Sequence, residues 1–176
     1  MTGTPKGGLI LAVHATTRGM GWVAFEGPIT PYDWGTVDAR RHKNASCLKR
    51  LERLFRRLQP EALVLENWPR PGAAPSQRIM HLNQAFVSLA QIWDVTVRVY
   101  DRGDVRACFS AVGAKSRQEI AEAIARHIEA FEHLLPRRRA IWESQHPRLA
   151  LFTSAALAFT YYQHEQLTDS HELLCS

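Results

Sequence analysis

The chain has 176 residues, of which 45% are hydrophobic and 22% are charged, and its formal net charge is +5. This length suffices for one domain with its own core, and these proportions are those of a globular protein rather than a disordered one. No apolar run approaches the roughly 20 residues of a membrane span, and residues 1–7 lack the apolar segment of a signal peptide. We therefore expect a cytoplasmic protein that does not associate with a membrane.

The cysteines and the basic residues place weaker limits on function. Cys47, Cys108 and Cys175 are far apart and form no Cys-x-x-Cys pair, so the sequence predicts reduced thiols rather than a zinc site or a disulfide. The positive charge permits nucleic-acid binding without establishing it. Arginines cluster at positions 40–41, 56–57 and 137–139.

The chain begins with a predicted β-hairpin. The apolar segment Ile10–His14 is followed by a small polar turn, and an alternating apolar pattern then covers Met20–Glu26. This arrangement predicts a buried strand paired antiparallel with its neighbour. Gly27 and Pro28 break the second strand, and residues 32–37 predict a short third strand.

A basic amphipathic helix follows. Asn44 is a favourable N-cap, and the helix is expected to end before Pro60. The apolar positions at helical spacing are Leu48, Leu51, Leu54, Phe55 and Leu58. The opposite face carries Lys49, Arg50, Arg53, Arg56 and Arg57. That face is either solvated or turned toward nucleic acid.

The apolar run Ala62–Glu66 predicts a fourth strand that is buried on both faces and ends in a carboxylate. Sites in open α/β sheets gather at the carboxyl ends of strands. If the first and fourth strands are neighbours, Glu66 lies near His14. The alternative is a solvated glutamate at the end of a strand.

The second half alternates helices with one more strand. Residues 69–75 predict a loop that could move over the site. Helix 76–93 and strand 95–100 follow, and then a short helix over 105–111, capped by Asp104 and ended by Gly113.

Two further helices and a basic loop complete the prediction. Ser116 and Glu119 predict a capping box, for a helix whose apolar face is Ile120, Ile124, Ile128 and Phe131. A basic loop covers 136–139, and Pro147 is expected in the first turn of the last helix. The inward residues of that helix are predicted to be Leu149, Phe152, Ala156 and Phe159. We expect a flexible segment 1–7, one domain over 8–162 and a loosely held polar tail over 163–176.

Four sequence blocks, taken together, resemble one known family. They are LAVHATTRGMGW (11–22), LVLENW (63–68), YDRGDVRACFSAVGAKSRQEIAEAI (100–124) and WESQHPRLALFTSAALAFTYY (142–162). In this order they resemble the RuvC-like Holliday junction resolvases of the RNase H-like superfamily. The resemblance implies an α/β fold with a mixed five-stranded sheet flanked by helices. It also implies a homodimer and a nucleic-acid partner, with DNA favoured over RNA.

The catalytic positions depart from the family pattern. The family carries an aspartate on the first strand, a glutamate on the fourth, and one or two acids on the last helix. Here those positions hold His14, Glu66, and either Thr153 or Ser154. His146 lies one to two helical turns earlier. The resemblance thus implies a degenerate site built from Glu66, His14 and His146.

This residue set is unfavourable for the family's chemistry. Phosphodiester hydrolysis by this fold uses two metal ions, and Mg²⁺ prefers carboxylate oxygens. Replacing two acids removes about two negative charges, and each unfavourable unit interaction near 4 Å costs about 4 kcal/mol at an effective dielectric of 20. We therefore expect no cofactor, and Mn²⁺ or Mg²⁺ only if nuclease activity is retained.

Two arrangements of the remaining residues stay open. His14, Glu66 and His146 could form a site of two histidines and one carboxylate, which suits Mn²⁺, Fe²⁺ or Zn²⁺ better than Mg²⁺. Without a metal, His14 could donate to Glu66 and fill the place of the ions as an ion pair.

Three functions follow as hypotheses. The favoured one is a RuvC-like protein that binds branched or structured DNA with lost or strongly reduced nuclease activity. Its predicted phosphate contacts are Arg18, Arg106, Lys115, Arg117, Arg137, Arg138 and Arg139. The alternatives are a structure-specific endonuclease with a rebuilt metal site, and a protein-interaction module. The sequence leaves open whether the chain is an enzyme.

Overall fold

The computed structural model describes residues 8–67, 76–140 and 146–174. Five strands form one sheet: β1 (Ile10–Ala15), β2 (Gly19–Gly27), β3 (Thr30–Asp38), β4 (Ala62–Glu66) and β5 (Thr96–Tyr100). Their spatial order is β3-β2-β1-β4-β5. The β1–β2 and β2–β3 pairs are antiparallel, whereas β1–β4 and β4–β5 are parallel. The predicted mixed five-stranded sheet is therefore confirmed, with β1 at its centre.

Helices flank the sheet on both sides. They are α1 (Lys43–Leu58), α2 (Gln77–Ile92), α3 (Arg102–Phe109), α4 (Arg117–His127), α5 (Glu129–Glu132) and α6 (Leu149–Leu174). A short 3₁₀ segment, Ser110–Val112, follows α3 and ends at Gly113, which has a positive φ of 71°. Among the described helices, none is both long and apolar enough to cross a membrane.

The alternation of side chains on the central strands divides the core into two layers. Leu11 and Val13 of β1 pack with residues of α1 and α2. Ile10 and Ala12 pack with residues of α3, α4 and α6 on the opposite face. Successive side chains of a strand point to opposite faces, so His14 shares the α4 and α6 face with Ile10 and Ala12.

Helix α6 lies close against β2 at one glycine. A Cβ atom on Gly21 would lie 2.4 Å from the backbone carbon of Ala150. The buried Ser154 Oγ lies 2.9 Å from the carbonyl oxygens of both Gly21 and Ala150, which share its one hydroxyl proton. The missing side chain at Gly21 thus lets the first turns of α6 lie on the sheet beside His14, which pairs with Gly21 in the β1–β2 ladder.

Two predicted N-caps are wrong. Asn44 lies inside α1, whose N-cap is His42 with φ 48° and no side-chain cap bond; the Asn44 amide instead donates to the carbonyl of Arg78 at 3.2 Å. Asp101, not Asp104, is the N-cap of α3, and Asp104 supplies the reciprocal bond of the capping box. Helix α3 therefore begins three residues earlier than predicted.

The later helices also differ in their bounds. Ile128 is the C-cap of α4, so Ile128 and Phe131 do not extend its apolar face as predicted. Pro147 lies in the turn before α6 rather than in its first turn. Helix α6 continues through the predicted polar tail to Leu174, and Arg98 of β5 forms an ion pair with Glu165 of α6 at 3.8 Å. The predicted loop 69–75 lies outside the described residues.

Candidate nucleic-acid interface

His14 and Glu66 meet at the carboxyl ends of two neighbouring parallel strands. Val13 of β1 is in register with Leu65 of β4, so the next residue on each strand lies beside the other. His14 Nδ1 is 2.8 Å from Glu66 Oε2, and each side chain is only 4% exposed. The predicted proximity of these two residues is therefore confirmed.

Arg117 adds a cation to this pair. It is the first residue of α4, directly after the N-cap Ser116. The predicted capping box of Ser116 and Glu119 is confirmed and fixes the start of the helix. Arg117 Nη2 lies 3.8 Å from Glu66 Oε1, and its side chain is 21% exposed. The Glu66 carboxylate thus lies between an imidazole and a guanidinium. We call His14, Glu66 and Arg117 the charged trio, after the charges of Glu66 and Arg117.

Thr153 and Ser154, the two candidates for the acid position on α6, point in different directions. Ser154 is buried against β2 through its bond to Gly21. Thr153 is half-buried and lines two clefts that also contain Arg117. Its hydroxyl donates to the carbonyl of Leu149 at 3.1 Å. Of these two candidates, Thr153 is therefore the one on the side of the clefts that Arg117 lines.

His146 takes part in the start of α6. Its ring Nδ1 accepts from the backbone N–H of Arg148 at 3.2 Å, and its carbonyl accepts from the N–H of Leu149 at 2.9 Å. The side chain is exposed and lines the cleft next to the turn after β1. Through these bonds His146 accepts from backbone N–H groups at the N-terminus of α6, which have no acceptor within the helix.

The described residues do not fit the divalent metals that the resemblance implies. In residues 8–67, 76–140 and 146–174, no group of three or more His, Cys, Asp or Glu side chains is arranged to hold a metal ion. The predicted set of His14, Glu66 and His146 therefore does not come together as a ligand group. The one carboxylate already has His14 on one oxygen and Arg117 near the other. A guanidinium at this place repels a cation.

Three clefts meet at Arg117. A small one, on the Glu66 side, has a floor of apolar residues that includes Ile120, Phe152 and Leu157. The second, the turn cleft, has a volume of about 360 Å³ and runs from Arg117 past His14 to the turn after β1. The third, the basic cleft, measures about 590 Å³. The cationic residues of the basic cleft are Arg102, Arg106, Lys115, Arg117, Arg137, Arg138 and Arg139.

The turn after β1 is held in a fixed shape. The N–H of Thr16 donates to the Gly19 carbonyl at 2.9 Å, and the N–H of Gly19 donates back to the Thr16 hydroxyl at 3.0 Å. Arg78 of α2 donates to the Thr16 carbonyl, and Lys43 donates to the Thr17 carbonyl at 3.0 Å. The turn therefore presents a defined surface to the turn cleft.

Besides Arg117, the predicted phosphate contacts Arg18 and Arg138 form ion pairs with described residues. Arg18 forms two bonds to Asp38, at 2.7 and 3.2 Å. Arg138 forms two bonds to Glu122, at 2.7 and 2.8 Å, and the bond from Arg138 lowers the pKa of Glu122. The second pair ties the basic loop to α4, while the side chains of Arg137 and Arg139 are exposed in the basic cleft.

Glu119, the acidic residue among the described residues that line the basic cleft, accepts hydrogen bonds at the start of its own helix. The Glu119 carboxylate accepts from the backbone N–H groups of Lys115 and Ser116, at 2.9 and 2.8 Å. Bonds from the N–H groups of Ser116 and Lys115, in that order of size, lower the pKa of Glu119. Glu119 therefore stays ionised at neutral pH, and the cationic side chains of the described lining residues outnumber this carboxylate seven to one.

The basic face of α1 lies apart from these clefts. Its five cationic residues are exposed, and two of them form ion pairs, Arg57 with Asp33 and Arg56 with Glu52. None of the five lines the small, turn or basic clefts. This geometry favours the solvated interpretation of that face.

Sequence reasoning missed two arginines. Arg102 lines the small cleft and the basic cleft, because α3 begins directly after β5 rather than at residue 105. Arg78 braces the turn after β1, and its Nη1 also donates to Asn44 Oδ1 at 2.7 Å. The Asp101–Asp104 spacing could have placed Arg102 in the first turn, whereas no local signal identifies the contact of Arg78.

Known structures share this architecture. Thermus thermophilus RuvC aligns with a TM-score of 0.65 and 16% identity, over 91% of this chain and 96% of that one. The same protein in complex with a Holliday junction substrate gives a TM-score of 0.62 and 15% identity, with the same coverage of both chains. The yeast mitochondrial Holliday junction resolvase Ydc2 gives 0.65 and 12% identity, over 99% and 85%. The chain therefore has a RuvC-like, RNase H-like fold.

Sequence comparisons are less informative. No protein-family model matches the chain. A zeaxanthin glucosyltransferase of Pantoea ananas is 36% identical over 86 residues, which cover 48% of this chain. The chain spans 19% of the length of that curated protein, so the match carries no conclusion about activity.

Proposed function

We propose that this chain is a nucleic-acid-binding protein that holds branched DNA without cutting it. The observation that carries the proposal is the basic cleft, where seven cationic side chains of the described part of the chain line an opening that reaches Arg117 of the charged trio. Such a surface binds phosphate groups by charge neutralisation and release of counterions. Its acidic residue, Glu119, is already engaged by backbone donors.

The continuity of the clefts supports a strand path. The basic cleft and the turn cleft share Arg117, His146 and Leu149. A backbone crossing both would pass Arg137 and Arg139, then Arg117, and then the braced turn after β1. Phosphate contacts along such a path fix the register of a nucleic acid without reading its sequence.

The branched form of the substrate and the preference for DNA rest on the structural relatives. Thermus thermophilus RuvC is described in complex with a Holliday junction substrate, and yeast Ydc2 is named as a Holliday junction resolvase. The proposed absence of cutting is supported by the charged trio, which contains one carboxylate, whereas two-metal hydrolysis uses several. We also propose that the protein acts as a homodimer in the cytoplasm.

Junction binding is expected to be strongly salt-dependent and to require the basic cleft. A fluorescently labelled four-way DNA junction should bind more tightly than a duplex of the same sequence. Its affinity should fall as salt rises, with a slope of about −0.9 per phosphate contact. Replacing Lys115, Arg137 and Arg139 together by alanine should reduce the magnitude of this salt slope by about three. It should also weaken binding roughly a hundredfold, at about 1 kcal/mol per contact.

A triple variant on α1 distinguishes loss of the basic cleft from a general loss of positive charge. Arg50, Arg53 and Lys49 lie on the basic face of α1 outside the clefts, so their triple alanine variant removes the same charge and should bind almost as well as the wild type. Equal losses in both triple variants would indicate a net-charge effect and contradict the assigned cleft. Failure of the wild type to bind any nucleic acid at about 50 mM salt would favour the protein-interaction alternative.

A further inference from the structure

We propose that Arg117 serves as a built-in cation in place of a metal ion, so that the site holds a phosphate group of the nucleic acid without any divalent metal. This inference rests on the proposed function and assigns a specific role within it. The residues at the ends of β1 and β4 are His14 and Glu66 and do not form the carboxylate group that the resemblance implies.

The Arg117 guanidinium lies beside a buried carboxylate. Arg117 Nη2 lies 3.8 Å from Glu66 Oε1, and Glu66 is 4% exposed. A buried carboxylate requires a nearby positive charge or hydrogen-bond donors. His14 supplies a partner on one oxygen, and Arg117 supplies the positive charge on the side of the other. A divalent ion at a carboxylate site would serve the same electrostatic purpose.

The Arg117 side chain can be reached from the clefts. Arg117 lines the small cleft, the turn cleft and the basic cleft. Its side chain is mostly buried, yet 21% of it is exposed. A guanidinium has five N–H donors in a planar fork. One edge can therefore face Glu66 while another faces a phosphate that enters from the clefts.

Positive charges outnumber negative charges among the described residues around Arg117. Among the described residues that line the small cleft, Arg102, Arg106, Lys115 and Arg117 are cationic and Glu66 is anionic. Like charges held close together in a partly buried place repel one another. An incoming phosphate would relieve this repulsion, whereas a divalent cation would increase it.

The proposal makes Glu66 a regulator of affinity. Its carboxylate offsets part of the charge of Arg117 and limits how strongly the guanidinium attracts a phosphate. Replacing Glu66 by glutamine keeps the side-chain shape and removes this offset. Junction binding should then become tighter, and the gain should depend on Arg117.

The test is binding of a labelled four-way DNA junction in EDTA and in Mg²⁺ at matched ionic strength. The wild type should bind with the same affinity in both. Arg117→Ala should weaken binding about tenfold or more and reduce the salt slope by about 0.9. Arg117→Lys should retain the slope but bind less tightly, because an ammonium lacks the fork of donors. Arg126→Ala is the matched control, since Arg126 is exposed on the last turn of α4 and lines none of the three clefts.

A thermodynamic cycle excludes a purely structural role. Glu66→Gln should tighten junction binding about threefold or more, and the gain should vanish when Arg117→Ala is added. Thermal unfolding of each variant establishes that it is folded at the assay temperature. Binding that requires Mg²⁺, or an Arg117→Ala variant that binds as tightly as Arg126→Ala, would overturn the inference and leave the proposed function standing. Wild-type protein that binds no junction would overturn both.

Discussion

Replacing Glu66 by alanine is expected to lower the free energy of unfolding by about 3–5 kcal/mol. Glu66 is 4% exposed, and its carboxylate lies between His14 and Arg117. Its removal takes the carboxylate away from a mostly buried guanidinium and from the His14 ring, whose Nδ1 lies 2.8 Å from Glu66 Oε2. Urea unfolding monitored by circular dichroism measures the change from the shift in midpoint at constant slope.

Glu26 provides the control for this prediction. It lies near the end of β2 in the same sheet and is exposed, so Glu26→Ala should change stability by no more than about 0.5 kcal/mol. A double variant, His14→Ala with Glu66→Ala, should be less destabilised than the sum of the single changes, because the two residues share one interaction. A loss below about 1 kcal/mol for Glu66→Ala would contradict the assigned charged trio.

Restoring carboxylates is expected to create a metal site that the wild type lacks. His14→Asp and Thr153→Asp would place two more acids at positions that face Glu66 and the clefts. Three carboxylates offer the oxygen ligands that hard cations prefer. Because Arg117 opposes a cation there, adding Arg117→Ala should strengthen binding further, to a dissociation constant of about 10⁻³ M or tighter for Mn²⁺.

Isothermal titration with Mn²⁺ measures this directly. The wild type should give no resolved heat, the double variant a weak signal, and the triple variant the tightest binding. Replacing Ser154 rather than Thr153 by aspartate is the matched control, since Ser154 is buried against Gly21 and does not face the clefts. Equal Mn²⁺ binding by the Thr153→Asp and Ser154→Asp variants would contradict the assignment of Thr153 to the site.

The strands that end at His14 and Glu66 could be predicted from short-range patterns, whereas the proximity of the two residues was predicted on the condition that β1 and β4 are neighbours. The apolar runs before His14 and Glu66 have the lengths and the two-sided burial of central strands. Once β1 and β4 are parallel neighbours, their carboxyl ends meet by geometry alone. The Ser116–Glu119 capping box was equally accessible, since its spacing is a local property of the chain.

Helix starts were harder because several residue types can fill the same position. The sequence offers Asn44 as an N-cap for α1, but the chain places His42 there in a left-handed conformation, and Asn44 bonds to α2 instead. Asp101 and Asp104 are both good N-caps and are separated by one helical turn. Only the observed bonds show that Asp101 begins α3 and that Asp104 closes the capping box.

The charged trio itself could not be predicted in full because it depends on packing. Arg117 is 51 positions from Glu66 in the sequence, and the way α4 lies on the sheet brings them together. The choice between Thr153 and Ser154 is likewise a matter of helix rotation, since neighbouring residues of a helix face different directions. Arg117 was predicted as a phosphate contact; its position beside Glu66 was not.

The central claim is that a built-in charged trio replaces the metal site, and a cleavage assay tests it most directly. A labelled four-way DNA junction is incubated with the wild type in EDTA, Mg²⁺ or Mn²⁺ at matched ionic strength, and binding and products are measured in the same samples. We expect equal binding in all three buffers and no cleavage product. Metal-dependent cleavage that is lost in the Glu66→Gln variant would contradict the claim and identify the chain as an active nuclease.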